Sequence, residues 1–257
     1  MGNQFNLARF GRLFLKHTIE HYRSYLMATL VLVGVMTLGG SFVVYMTDAS
    51  IDKGLQAAFF MMIMLIAGTL FTSTIFSDLG DRKKAIPWLT LPASHFEKYI
   101  VAWLYSFPLF LIAYTLVFYA VAFLAVNLGH STNHPPELIN VFDPLILQFF
   151  LLYAFLHGIT ICGAIYFEKL HFIKTAFAFF VGIGLLILFN KFLLGQLIGR
   201  SVEATPPFSV IVFTDQTRQV VVGVPSRVQE NFALIVLAAL SVILWTIAYF
   251  RVREKQL

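Results

Sequence analysis

Charge is scarce in this chain: only 12% of its 257 residues are Asp, Glu, Lys or Arg, against about 25% in ordinary soluble domains. A water-facing surface of normal composition cannot be built from so few. Cysteine is scarcer still. Cys162 stands alone inside an apolar run, so no disulfide can form within the chain, and no zinc-ligand spacing accompanies it. It reads as a small buried hydrophobe. Two catalytic signatures are also missing: the GxxxxGK[ST] loop that cradles nucleotide phosphates and the HExxH pattern of metalloproteases. Any nucleotide that drives this protein must bind elsewhere.

Apolar residues fill the space that charge leaves. They make up 59% of the chain, mean hydropathy is +0.81, and 28 residues are phenylalanine. They gather into six runs, at about Leu26–Met46, Leu55–Ile75, Tyr99–Val126, Leu145–Phe167, Ile173–Leu194 and Phe232–Phe250. About 20 residues suffice to cross a hydrocarbon core as a helix, and a helix satisfies its own backbone in lipid. The expected fold is therefore all-α: one polytopic domain over residues 1–257 with six transmembrane helices. Five runs follow the first, which reads as a retained helix and not a cleaved signal peptide.

The basic residues fall unevenly about these runs. With both termini on one side, that side carries 13 Lys and Arg and the opposite side five. Acidic residues divide six and seven, so the regional charges are +7 and −2. The positive-inside bias places both termini in the cytoplasm of a multi-pass cell-membrane protein. Because the cations recur beside membrane spans, a nucleic-acid surface is not expected.

Residues 4–24 precede the first run. Phe5, Leu7, Phe10, Leu13, Phe14 and Ile19 recur at helical spacing, while Arg9, Arg12, Lys16, His17 and Arg23 supply a polar side. The pattern predicts an interfacial helix, with Phe5, Phe10 and Leu13 toward lipid and Arg9, Arg12 and Lys16 toward anionic headgroups. Membrane lipid is thus one expected partner.

Between the second and third runs lies the cytoplasmic region 76–98. Asp81, Arg82, Lys83 and Lys84 are followed by Trp88, Leu89 and Leu91, with prolines at 87 and 92 that interrupt any continuous helix. Charges that can meet a soluble partner thus adjoin side chains that can anchor in a groove, and a push here would move the second and third spans. Ser94 and Glu97 have capping-box spacing at the entrance to the third span. A second, smaller contact element is expected at Glu168, Lys169 and His171. In the external segment 195–231, FSVIVF and QVVVGV flank TDQTR, which fits a hairpin or short external helices.

His130 and His134 are four apart, but Asn133, Pro135 and Pro136 spoil helical metal geometry; a solvated loop is expected. His157, Cys162 and Glu168 form no known hydrolase arrangement, and His157 is expected to hydrogen-bond between helices. The glycines at 34, 39, 40, 182 and 184 are expected to permit close helix packing. Few ionisable residues lie within the runs, which counts against a proton- or sodium-coupled carrier.

The full layout resembles the membrane-spanning permease subunits of the ABC-2 class of ABC transporters. The stretch DRKKAIPWLTLPASHFEKYIVAWLYS looks like that class's basic, Leu-Pro-Ala-Ser-containing entry to the third span. The resemblance implies that Asp81–Leu91 is the main coupling element, Glu168–Lys174 the second cytoplasmic contact and Phe5–Tyr22 the interfacial helix. It further implies a homodimer or heterodimer of permeases that exports its substrate, bound to ABC-type ATP-binding subunits that hold ATP and Mg2+. No cofactor and no enzymatic activity are expected of this chain itself. A secondary carrier or channel, a non-transporting membrane assembly or signalling subunit, and an intramembrane enzyme are the alternatives. Segment 195–231 departs from the class's paired external helices.

Overall fold

The computed structural model describes residues 5–47, 53–80, 92–128, 138–167, 169–199, 202–203, 205–207, 211–215, 218–223 and 226–254. Its elements are α1 (Leu7–Thr47), α2 (Lys53–Gly80), α3 (His95–Leu104), a π-turn (Tyr105–Leu109), α4 (Phe110–Leu128), α5 (Pro144–Tyr166), α6 (His171–Ile198), β1 (Ile211–Asp215), β2 (Arg218–Val222) and α7 (Ser226–Glu254). Six helical segments are long and apolar enough to cross a membrane, the third being α3, the π-turn and α4 in series. This is the architecture of a multi-pass membrane protein.

Local chemistry sets the boundaries. Ser94 caps α3: its hydroxyl accepts from the Glu97 amide while the Glu97 carboxylate accepts from the Ser94 amide, completing the expected box. Pro144 opens α5 at its first turn, where its missing N–H costs nothing. Gly199, at φ 69°, closes α6 in the left-handed conformation that glycine adopts without penalty. Pro108 lies inside the third span and cannot donate to the helix ladder, and the chain widens there into the π-turn. The apolar run of the third span is expected as one continuous helix, and Pro108 within it is the residue that marks the interruption.

α5 is the central helix and packs on α2, α6 and α7. In the most apolar stretches of α2 and α5, 39% of residues are buried, against 6% in α1 and α6. The core therefore runs along α2 and α5, with α1 and α6 at its edges. One cluster includes Phe60, Met64, Tyr114, Ile146 and Tyr153. A second, toward the α3 entrance, includes Phe76, Tyr99, Ile161, Ile165 and Val252.

Three expectations change here. Residues 7–24 and the first span form one uninterrupted helix, Leu7–Thr47, of 41 residues. Neither glycine nor proline occurs near residues 24–26 to end an in-plane helix, so the helix simply continues. Next, a methyl group at Gly34, Gly40, Gly182 or Gly184 would meet nothing within 4 Å, because α1 and α6 turn these positions outward. Gly39 does pack as expected, its added methyl meeting the Phe59 ring at 3.2 Å, and close packing otherwise uses Gly68 against Tyr153 and Phe110, Gly158 against Leu244, and Gly163 against Thr175. Finally, the all-α description holds for the spans, but segment 195–231 contains a hairpin, one of the two forms expected for it. Its antiparallel strands pair Ile211 with Val222 through Asp215 with Arg218.

Gly68→Ala is expected to lower stability by about 1–3 kcal/mol, as overpacking does, whereas Gly182→Ala should change little. Thermal unfolding of the two variants in the same detergent checks the contrast.

Candidate functional site

The third span's first three turns gather most of the polar and aromatic contacts that link peripheral α1 to the core. At the entrance, Glu97 is fully buried. Its Oε2 accepts from Arg9 Nε at 2.7 Å and from the Ser94 amide at 2.9 Å. Its Oε1 accepts from Arg9 Nη2 and the Asn6 amide, both at 2.8 Å. This is the two-pronged carboxylate–guanidinium geometry for which arginine is suited. Asn6 in turn accepts from the amides of Ala8 and Arg9, starting α1. One carboxylate therefore caps α3 and holds the beginning of α1.

Two turns further along, Tyr105 is the centre of an aromatic cluster. Phe14 stacks on it at 4.9 Å and Tyr25 at 5.3 Å, His17 lies at 4.6 Å, and the hydroxyls of Thr18 and Tyr105 hydrogen-bond to each other. The predicted apolar stripe is thus divided. Phe14 is committed to the third span, and Phe5 meets Phe96 edge-on while also contacting Phe10. Leu7 and Ile19 remain exposed. Leu13 and Lys16 line a groove between α1 and α2, and Arg12 Nε returns to the Ala8 carbonyl.

The next residue begins a buried network that reaches α7. Ser106 Oγ lies 2.9 Å from His157 Nε2, and Trp245 Nε1 donates to His157 Nδ1 at 3.0 Å. Since indole nitrogen can only donate, Nδ1 is the acceptor and the neutral ring carries its proton on Nε2. That proton points to Ser106. Ser106 Oγ also lies 3.2 Å from the Trp103 carbonyl, to which it donates. The arrangement is the reverse of a nucleophile–base pair, in which the histidine must be able to take the hydroxyl proton. Both ring nitrogens are occupied, so His157 serves as an interhelical tie. Tyr153 completes the network by donating to the Ser106 carbonyl at 3.0 Å, beside the π-turn.

Of the expected coupling residues, Asp81, Arg82, Lys83, Lys84, Trp88, Leu89, Leu91 and Glu168 lie outside the described residues, as do His130 and His134. Lys169 is exposed in the turn between α5 and α6. His171 begins α6 with a buried Nδ1 that has no hydrogen-bond partner among the described residues. Between them Leu170 adopts φ 54°, a left-handed conformation unusual for leucine. Cys162 is half-buried, and its Sγ–H donates to the Leu244 carbonyl at 3.4 Å.

Sequence reading identified Ser94, Glu97 and His157, but not their distant partners Arg9, Ser106 and Trp245. Each contact joins residues at least 51 positions apart, so no local spacing reveals it. No family model matches the chain, and no significantly similar curated protein or solved structure was found.

Proposed function

We propose that this chain is the membrane-spanning permease subunit of an ATP-driven ABC transporter of the ABC-2 class, acting as an exporter. Two permeases, identical or different, would assemble with ABC-type ATP-binding subunits that hold ATP and Mg2+. The chain would lie in the cell membrane with both termini in the cytoplasm, as its 13-to-five division of basic residues favours.

The observation that carries this reading is the Arg9–Glu97 clasp. Glu97 sits at the end of the region 76–98 and grips α1 as well as α3. A soluble partner that displaces the region around Asp81–Leu91 would pull on α3 and, through Glu97, on α1. From Tyr105 and Ser106 the load passes to α5 and α7. The chain's missing phosphate loop leaves nucleotide binding to that partner.

The test is purification from the native membrane in mild detergent, with mass spectrometry of the proteins that come with it. An ATP-binding subunit in near-equal amount is the expected result. Trp88→Asp or Leu89→Asp should then weaken its docking or uncouple ATP hydrolysis from transport. Reproducible absence of an ATPase from an otherwise intact complex would overturn the assignment, as would unchanged assembly and unchanged substrate-stimulated hydrolysis in both variants.

A further inference from the structure

The stretch HTIEH puts His17 and His21 four positions apart in α1. On a helix that spacing brings both side chains to one face, one turn apart. Zinc is held by the same helical spacing in the HExxH and HxxEH metalloenzymes. Two imidazoles on one ion, with metal–nitrogen bonds of about 2.0–2.1 Å at angles of about 90–110°, have ring centres roughly 4.5–5.2 Å apart. The rings of His17 and His21 lie 4.6 Å apart and are inclined by 57°.

The ring nitrogens are placed to bind as well. His17 meets the Tyr25 hydroxyl through Nε2, at 2.6 Å. With the Nε2 proton donated to Tyr25, the ring presents a lone pair on Nδ1. Metal-bound histidines characteristically donate their second nitrogen to such a partner. The nitrogens of His21 have no hydrogen-bond partner among the described residues. Both rings line the groove between α1 and α2, whose volume of about 1250 Å³ admits an ion with its waters.

The nearby charges are committed elsewhere. Lys16 lies 3.6 Å from Glu20, Arg23 Nε donates to the Tyr22 hydroxyl at 3.0 Å, and Lys98 is buried with a partner of its own. Glu20 therefore faces Lys16, and no peptidase base is assigned to it. No third His, Cys, Asp or Glu joins the pair among the described residues, so water completes the coordination. Two neutral imidazoles with water suit zinc, copper(II) and nickel(II), whereas magnesium and calcium require oxygen ligands.

We propose that His17 and His21 form a binding site for one divalent transition-metal ion of the imidazole-preferring class. His17 also packs on Tyr105 at 4.6 Å, so the ion lies where α1 meets the third span. The site does not depend on the permease assignment and stands or falls separately from it.

The test uses the full chain in detergent, free of any affinity tag, at about pH 7.5, where imidazole is mostly neutral. His130 and His134 share the four-residue spacing, so both are changed to Ala in the background chain. Calorimetric titration with zinc chloride should give one ion per chain. His17→Ala and His21→Ala should each weaken binding about tenfold or more. Each variant is compared only if it elutes as a single species with unchanged thermal unfolding in the absence of metal. Electron paramagnetic resonance of the background chain with one equivalent of copper(II) requires neither variant and should show coupling to two imidazole nitrogens. Absence of saturable zinc binding, a copper spectrum without nitrogen coupling, or an affinity unchanged by both substitutions would overturn the site.

Discussion

Glu97→Ala should detach the start of α1 from the third span and produce the largest loss of stability of any single change considered. The substitution removes four hydrogen bonds at once: two from Arg9, one from the Asn6 amide and one from the Ser94 amide. Ser94→Ala removes only the cap and should cost about 1 kcal/mol, so Glu97→Ala should clearly exceed it. The effect also has a local signature. With Asn6 and Arg9 released, trypsin should cut after Arg9 and Arg12 much faster in the variant than in the parent chain. Arg9→Met leaves a buried carboxylate without its cation, and such a group is more costly than a pair removed together. The double variant Arg9→Met/Glu97→Leu should therefore be more stable than either Arg9→Met or Glu97→Ala. Equal trypsin sensitivity in all chains would show that the clasp does not hold α1.

The second large effect is expected at His157, which is completely buried. His157→Leu retains most of the volume but leaves the Trp245 N–H and the Ser106 hydroxyl facing an apolar side chain. An unsatisfied buried donor costs about 1–3 kcal/mol. Ser106 retains the Trp103 carbonyl, so most of the loss comes from Trp245 and the total should be about 2 kcal/mol. Trp245→Phe/His157→Leu removes donor and acceptor together and should recover part of it. The readout is thermal unfolding together with the fluorescence of Trp245. Its emission should shift on loss of the hydrogen bond, with Trp88→Phe and Trp103→Phe in the background to isolate the signal. A fully additive double variant would mean that the His157–Trp245 contact contributes nothing.

These two sites have one physical feature in common. In the first, α1 is joined to the bundle by Glu97 of the third span, and in the second α7 is joined to it through His157 of α5, which also meets Ser106 of the third span. In lipid, apolar surface alone gives helices little reason to associate. α1, whose most apolar stretch is only 6% buried, therefore depends on Glu97 and the Tyr105 aromatic cluster for its position. The π-turn at Tyr105–Leu109 carries a residue of each, Tyr105 of the aromatic cluster and Ser106 of the His157 network. Pro108 makes it the place where the third span's ladder is already interrupted, hence where α3 can move with least disturbance to α4.

The sequence by itself determined the number and approximate limits of the membrane helices, because apolar length is a property of one segment and its solvent. It also determined the α3 cap, since Ser94 and Glu97 act across three residues, and it left a hairpin and short helices both open around TDQTR, where the structure has the hairpin. Tertiary structure decided which apolar faces meet protein. Phe14 and Ile19 look alike in the helical stripe of residues 4–24, yet Phe14 stacks on Tyr105 while Ile19 is exposed. Gly34 and Gly68 are likewise equivalent as residues, yet only Gly68 faces a neighbouring ring. The partners of Glu97 and His157 belong to the same class of fact. Arg9 and Trp245 are set opposite them by helix placement, and a hydrogen bond between residues 88 positions apart leaves no periodicity along the chain to reveal it.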